Sequence, residues 1–193
     1  MKMPADVAAK AKAAIDALKA AKLSIATAES CTGGLVVGAL TSVPGSSAVV
    51  YGGFVTYENS AKTAMLGVTA RLIRDYGAVS AQVARAMADG ARNKANVDLA
   101  IAITGVAGPD GGTEKKPVGL VYLACATHEG TKVIEKRFGA LGRDEVRQAA
   151  VLEALTLIID VATNGVAEAR PVPASLANKP APATGKPATA VAR

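Results

Sequence analysis

The sequence predicts an α/β fold, a three-layer α/β/α sandwich around a mixed β-sheet, and three observations carry that prediction. Segments with a helical apolar period alternate with short apolar runs through the first hundred residues, the order of parallel strands covered by helices. Two β-rich runs near residues 118–138 are then separated only by a short turn, which adds an antiparallel hairpin. Half of the 193 residues are hydrophobic, yet 3% are aromatic and Trp is absent. The core is therefore built of Ala, Val, Leu and Ile, which suits a sheet packed under small-residue helices.

Residues 5–22 read as an amphipathic helix, with Val7, Ala11, Ile15 and Leu18 on one face and Lys10, Lys12, Asp16 and Lys19 elsewhere. Residues 23–29 form the first strand, and a helix over 31–42 follows, stopped by Pro44-Gly45. Residues 48–57 are β-branched and aromatic and read as the second strand, with Gly52-Gly53 marking a bulge or a close backbone approach. Helices are expected over 60–66, over 69–76 and from a cap at Ser80 to about Ala95, the last with Val83, Met87 and Ala91 inward. The apolar run 98–104 is a buried strand, and it opens into a glycine-rich loop over 105–113. Residues 118–126 and 132–138 make the hairpin around Glu129-Gly130. Residues 143–161 are the last helix, with Val146, Ala150, Leu157 and Val161 inward.

The chain divides into a body, residues 1–165, and a tail, residues 166–193. The tail holds five prolines, nine alanines, four basic residues and no aromatic. Such a composition cannot bury a core and predicts a flexible extension. Half of the net charge of +6 lies in this tail, so the body is only mildly basic. With almost no aromatic side chains to stack on bases, the composition argues against a nucleic-acid surface. The first residues, Met1-Lys2-Met3-Pro4-Ala5-Asp6, lack the apolar segment of a signal peptide, and no run approaches membrane-spanning length. Two cysteines, Cys31 and Cys125, make no disulfide framework. The expectation is a cytoplasmic protein with reduced thiols. The single histidine, His128, sits in a turn, so neither a metal site nor a Ser-His-Asp triad is expected.

Chemistry gathers at three places, each at the C-terminal end of an expected strand, where open α/β sheets bind ligands. The first is T-A-E-S-C-T-G-G at 27–34. A strand turning directly into a helix puts Ser30 at the helix N-cap, where free N–H groups and the helix dipole attract negative charge. Gly33 and Gly34 let a ligand approach the backbone. Ser30 reads either as a plain cap or as a reactive serine, with Cys31 as a rival nucleophile. The second place is Tyr57-Glu58-Asn59-Ser60-Ala61-Lys62. Its Lys62 acts as a base only if desolvation keeps it neutral, and otherwise it is a surface lysine. The third is Thr104-Gly105 with the loop to Gly112, whose N–H groups suit a phosphate or an oxyanion.

Together with Tyr76-Gly77-Ala78-Val79-Ser80, these motifs make the sequence over about residues 8–163 resemble the CinA C-terminal domain family. The resemblance implies the same three-layer sandwich and the activity of a nicotinamide-nucleotide amidohydrolase, with Ser30, Tyr57 and Lys62 as the catalytic group. It implies hydrolysis of nicotinamide mononucleotide to nicotinic acid mononucleotide and ammonia through a serine acyl-enzyme, without a cofactor. Larger family members carry a further N-terminal domain, and this chain resembles the stand-alone form. Oxyanion donors are expected near Cys31, Thr32 and Gly33, or near Thr104 and Gly105. Arg143 and Arg147, one helical turn apart, are candidates for the substrate phosphate or else a solvated helix face. A nucleotide-binding or regulatory module without chemistry is the alternative, and the complete Ser-Tyr-Lys set argues against it. A homo-oligomer is the general expectation for such a domain.

Overall fold

The computed structural model describes residues 3–166; of the expected tail only Val166, partly buried against the core, is among them, and the rest lies outside the described residues. Five strands form one mixed sheet in the order β2-β1-β3-β4-β5. Strand β1 (Ile25–Glu29) runs parallel to both β2 (Val50–Val55) and β3 (Leu99–Gly105). Strands β4 (Leu120–Ala126) and β5 (Thr131–Arg137) complete the sheet antiparallel, with Ala126 opposite Thr131 across the hairpin turn. His128 is exposed in that turn.

Helices cover both faces. On one lie α1 (Ala5–Ala21), α2 (Leu35–Thr41) and α6 (Arg143–Asn164), packed on Ile25, Ile101, Ile103, Leu123 and Cys125. On the other, α3 (Asn59–Leu66), α4 (Ala70–Tyr76) and α5 (Ala81–Ala95) pack on Ala28, Ala100, Ala102, Ala124 and Ala126. The residues of a strand alternate between these faces. The α5 side is lined by alanine, which lets that helix lie close to the sheet. Val83, Met87 and Ala91 are buried there as the periodicity predicts, and Ser80 caps α5 by accepting from the Val83 N–H.

Two differences from the sequence reading bear on function. The helix after β1 begins at Leu35 rather than residue 31, and its N-cap is Gly34, left-handed at φ +96°. Ser30–Gly34 is a turn, with Ser30 four residues ahead of the cap. The first strand begins at Ile25 rather than residue 23, because Ser24 is turned to Asp98, whose carboxylate accepts from its N–H at 2.8 Å and from its hydroxyl at 2.6 Å. The expected irregularity at Gly52-Gly53 is present. The register between β1 and β2 shifts, with Ile25 opposite Val50 and Ala26 opposite Gly52. A Cβ at Gly53 would lie 2.5 Å from Thr27 Oγ1, so glycine is needed for the strands to approach.

Candidate active site at the C-terminal edge of the sheet

The charged centre of the region is Glu29, the last residue of β1, which the sequence reading passed over. Its buried carboxylate accepts from the N–H groups of Gly34, Val36 and Val37 at 3.0, 3.0 and 2.8 Å, and from the Thr27 hydroxyl at 3.1 Å. The free donors at the start of α2, expected to receive a ligand, are therefore occupied by the protein's own carboxylate. An acidic residue just ahead of a glycine turn and an uncharged helix was the available signal.

Ser30 follows on the opposite side of the chain. Its N–H donates to the Ile103 carbonyl at 3.0 Å, which ties the turn to β3. Its residue is 9% exposed, and its hydroxyl meets Lys62 Nζ at 3.0 Å. Lys62 comes from the first half of α3 and is 1% exposed. Its nitrogen also lies 2.8 Å from the Thr56 carbonyl and 3.1 Å from the Tyr57 carbonyl. Among the described residues no carboxylate lies within ion-pair distance of it. Burial is the main cause that holds its pKa below the ordinary lysine value, with Cys31 and then Glu58 pulling the other way. Ser30 and Lys62 thus form a hydroxyl–amine pair that needs no histidine.

The turn after Ser30 leaves two donors open. The Gly33 N–H goes to the Ser30 carbonyl and the Gly34 N–H to Glu29. Among the described residues, the N–H groups of Cys31 and Thr32 have no protein acceptor. Arg147 braces the same turn from α6, donating to the Thr32 carbonyl at 3.1 Å. The Cys31 side chain is buried, and burial raises its thiol to about 12, so it stays protonated beside the serine.

Tyr57 enters the pair by its main chain. Its side chain is 62% exposed, and its hydroxyl accepts from Arg143 at 3.2 Å, with no hydrogen bond to Ser30 or to the Lys62 amine. Arg143, at the start of α6, also donates to the Gly108 carbonyl at 2.7 Å and so ties the glycine loop to the phenol. The Thr104 hydroxyl donates to the Ala78 carbonyl at 2.9 Å. A Cβ at Gly105 would lie 2.7 Å from the Leu120 carbonyl oxygen, so this glycine serves the contact with β4. The two arginines therefore separate in role, Arg143 at the rim and Arg147 behind the turn. A cavity of roughly 380 Å³ lies between α1, α2 and α6, with Leu35, Arg147 and Val151 in its wall, but neither Ser30 nor Lys62 lines it.

The described residues hold no helix long and apolar enough to cross a membrane. Comparison with known proteins gives the family and the fold. Residues 7–162 match the CinA C-terminal domain. The chain is 54% identical over 133 residues to a CinA-like protein of Geobacter sulfurreducens, covering 69% of this chain and 32% of the relative. It is 50% identical over 135 residues to a CinA-like protein of Acidobacterium capsulatum, covering 70% of this chain and 32% of the relative. It thus spans about a third of the length of the curated relatives it matches. Among solved structures, the competence/damage inducible protein of Agrobacterium tumefaciens superposes with a TM-score of 0.81 at 47% identity, covering 83% of this chain and 99% of that one. A CinA superfamily protein of Escherichia coli gives 0.77 at 33% identity, covering 83% and 94%. On sequence and on fold alike, the chain belongs to the CinA C-terminal domain family.

Proposed function

We propose that the protein is an amidohydrolase that converts nicotinamide mononucleotide to nicotinic acid mononucleotide and ammonia, a step of pyridine nucleotide salvage. One observation carries the chemistry: a buried Lys62 amine 3.0 Å from the hydroxyl of Ser30, without a counter-ion among the described residues. The identity of the amide comes from the resemblance to the family.

Neutral Lys62 takes the proton of Ser30 as Oγ bonds to the amide carbon. The carbonyl electrons move to oxygen, and the open N–H groups of Cys31 and Thr32 receive that oxyanion. Collapse restores the carbonyl and breaks the C–N bond, and the proton on Lys62 passes to the departing nitrogen, which leaves as ammonia. In the second half a water gives its proton to Lys62 and its oxygen to the acyl carbon. The Oγ–C bond breaks, and Ser30 regains the proton from Lys62. Tyr57 has two assignments here. Its carbonyl orients the amine, and its phenol, held at the rim by Arg143, hydrogen-bonds the substrate. Arg143, exposed at the rim, is the better placed of the two arginines for the substrate phosphate.

The test is ammonia and nicotinic acid mononucleotide release from the purified protein given nicotinamide mononucleotide, with free nicotinamide as control. Equal amounts of both products are expected. Loss of the nucleophile in Ser30→Ala should lower turnover by about 10⁴–10⁶ while the protein stays folded. Binding of the nucleotide by folded protein without any ammonia would replace this reading with that of a binding module.

A further inference from the structure

Behind the turn that follows Ser30, the hydrogen bonds run through a chain of peptide groups. Arg147 Nη2 donates to the Thr32 carbonyl at 3.1 Å. The N–H of that same peptide group belongs to Gly33, and it donates to the Ser30 carbonyl at 3.0 Å. The Ser30 carbonyl shares its peptide group with the Cys31 N–H, which has no protein acceptor among the described residues. A guanidinium thus stands at one end of two linked peptide groups, and an open donor stands at the other. Hydrogen-bonded peptide groups polarise one another, so positive charge at the start of such a chain strengthens the donor at its end.

Other contacts already hold the shape of the turn. The Thr32 carbonyl also accepts from the Leu35 N–H at 3.3 Å, and Glu29 holds the N–H groups of Gly34, Val36 and Val37. An ion pair does not explain the arginine either. Its carboxylate neighbour, Asp144, lies 3.5 Å from Nη1 with a side chain 89% exposed, so water screens the pair. The Arg147 Nε is buried without an acceptor among the described residues, which costs stability. What the side chain brings to the turn is its charge, at close range: a Cβ at Gly33 would lie 3.5 Å from Nη2.

We propose that Arg147 is a positioning residue of the amide hydrolysis. It acts through the Thr32–Gly33 and Ser30–Cys31 peptide groups to orient and polarise the Cys31 N–H, and it does not touch the substrate. This rests on the amidohydrolase reading, in which that N–H is an oxyanion donor. Negative charge develops on the amide oxygen only as Ser30 Oγ bonds to the carbon, so a stronger donor favours the transition state over the bound substrate. Arg143, one helical turn earlier, differs in that its place at the rim bears on binding.

Steady-state kinetics of Arg147→Ala test this, with circular dichroism to establish that the variant is folded. Its kcat should fall by about 10–100-fold, less than for loss of a whole oxyanion donor, because the N–H itself remains. Its KM should stay within about threefold. Free guanidinium, entering by the cavity in whose wall Arg147 stands, should restore part of the lost kcat. Urea, similar in shape but uncharged, should not. Amide-proton NMR of the ligand-free protein separates this inference from the choice of substrate. In Arg147→Ala the Cys31 and Gly33 signals should move upfield, and return toward the parent with guanidinium but not with urea. If the signals behave so while the parent releases no ammonia, the substrate reading fails and the peptide chain from Arg147 stands. A folded variant that keeps the parent kcat, raises KM alone, responds equally to urea or leaves both signals in place overturns the proposal. If Arg147→Ala does not fold, Arg147→Lys and Arg147→Gln carry the comparison. The lysine variant, which keeps the charge, should have the higher kcat, and an equal or reversed order overturns the proposal.

Discussion

Lys62 Nζ lies 3.0 Å from Ser30 Oγ while two main-chain carbonyls, of Thr56 and Tyr57, occupy its other directions. A neutral amine has two hydrogens and one lone pair. With the hydrogens given to the two carbonyls, the lone pair is left for the hydroxyl proton. An ammonium would donate to all three oxygens. The one proton that distinguishes the two states therefore sits on the line between Lys62 and Ser30.

A pH dependence follows. Burial lowers the Lys62 pKa in the folded protein, so the active neutral form appears at lower pH than for a lysine in water. Turnover should rise with pH through the folded pKa and fall away below it. Between that value and the ordinary lysine value the unfolded chain holds a proton that the folded one does not, so stability also rises with pH across this window. Lys62→Arg keeps the charge and cannot release it; it should be inactive and without the rise. Single-turnover rates from about pH 6 to 10 bracket the relevant range. A parent profile retained by Lys62→Arg would remove the lysine from the base role.

Cys31→Ala should keep amidase activity within about threefold, because a thiol raised to about 12 is protonated at neutral pH. The substitution leaves its backbone N–H in place. Activity measured beside Ser30→Ala decides which side chain attacks, and loss in the cysteine variant alone would reverse the assignment.

Glu29→Gln should destabilise the protein. The carboxylate serves three backbone donors and one hydroxyl, and an amide presents an NH₂ group to some of them. Orphaned buried donors cost about 1–3 kcal/mol each. A loss of about 3 kcal/mol lowers the melting temperature by about 6–12 °C for a domain of this size. Thermal unfolding at neutral pH measures it, and an unchanged transition would mean that the turn is held by other contacts.

Arg143→Ala should raise KM for nicotinamide mononucleotide by about 10–100-fold, the range of a hydrogen bond to a charged group. The effect should shrink for the corresponding nucleoside, which lacks the phosphate. Equal effects on both compounds would assign Arg143 to holding Tyr57 and Gly108 rather than the phosphate.

Much of this molecule is legible in one dimension. The apolar periods place the helices and strands, the switch from alternating elements to a hairpin gives the mixed sheet, and the T-A-E-S-C-T-G-G and Y-E-N-S-A-K motifs after the first two strands mark the sheet edge where Ser30 and Lys62 meet. Those are local signals, set by the pitch of a helix and the alternation of a strand. What the tertiary structure decided is where each polar group finds its partner. Glu29 takes the donors at the start of α2, and α3 buries Lys62 against Ser30 across 32 positions of sequence. The phenol of Tyr57 turns to Arg143, 86 positions away, while its carbonyl stays with the amine. Hydrogen bonds and desolvation depend on distances of a few ångströms between groups far apart along the chain, and no periodicity of the sequence encodes those distances.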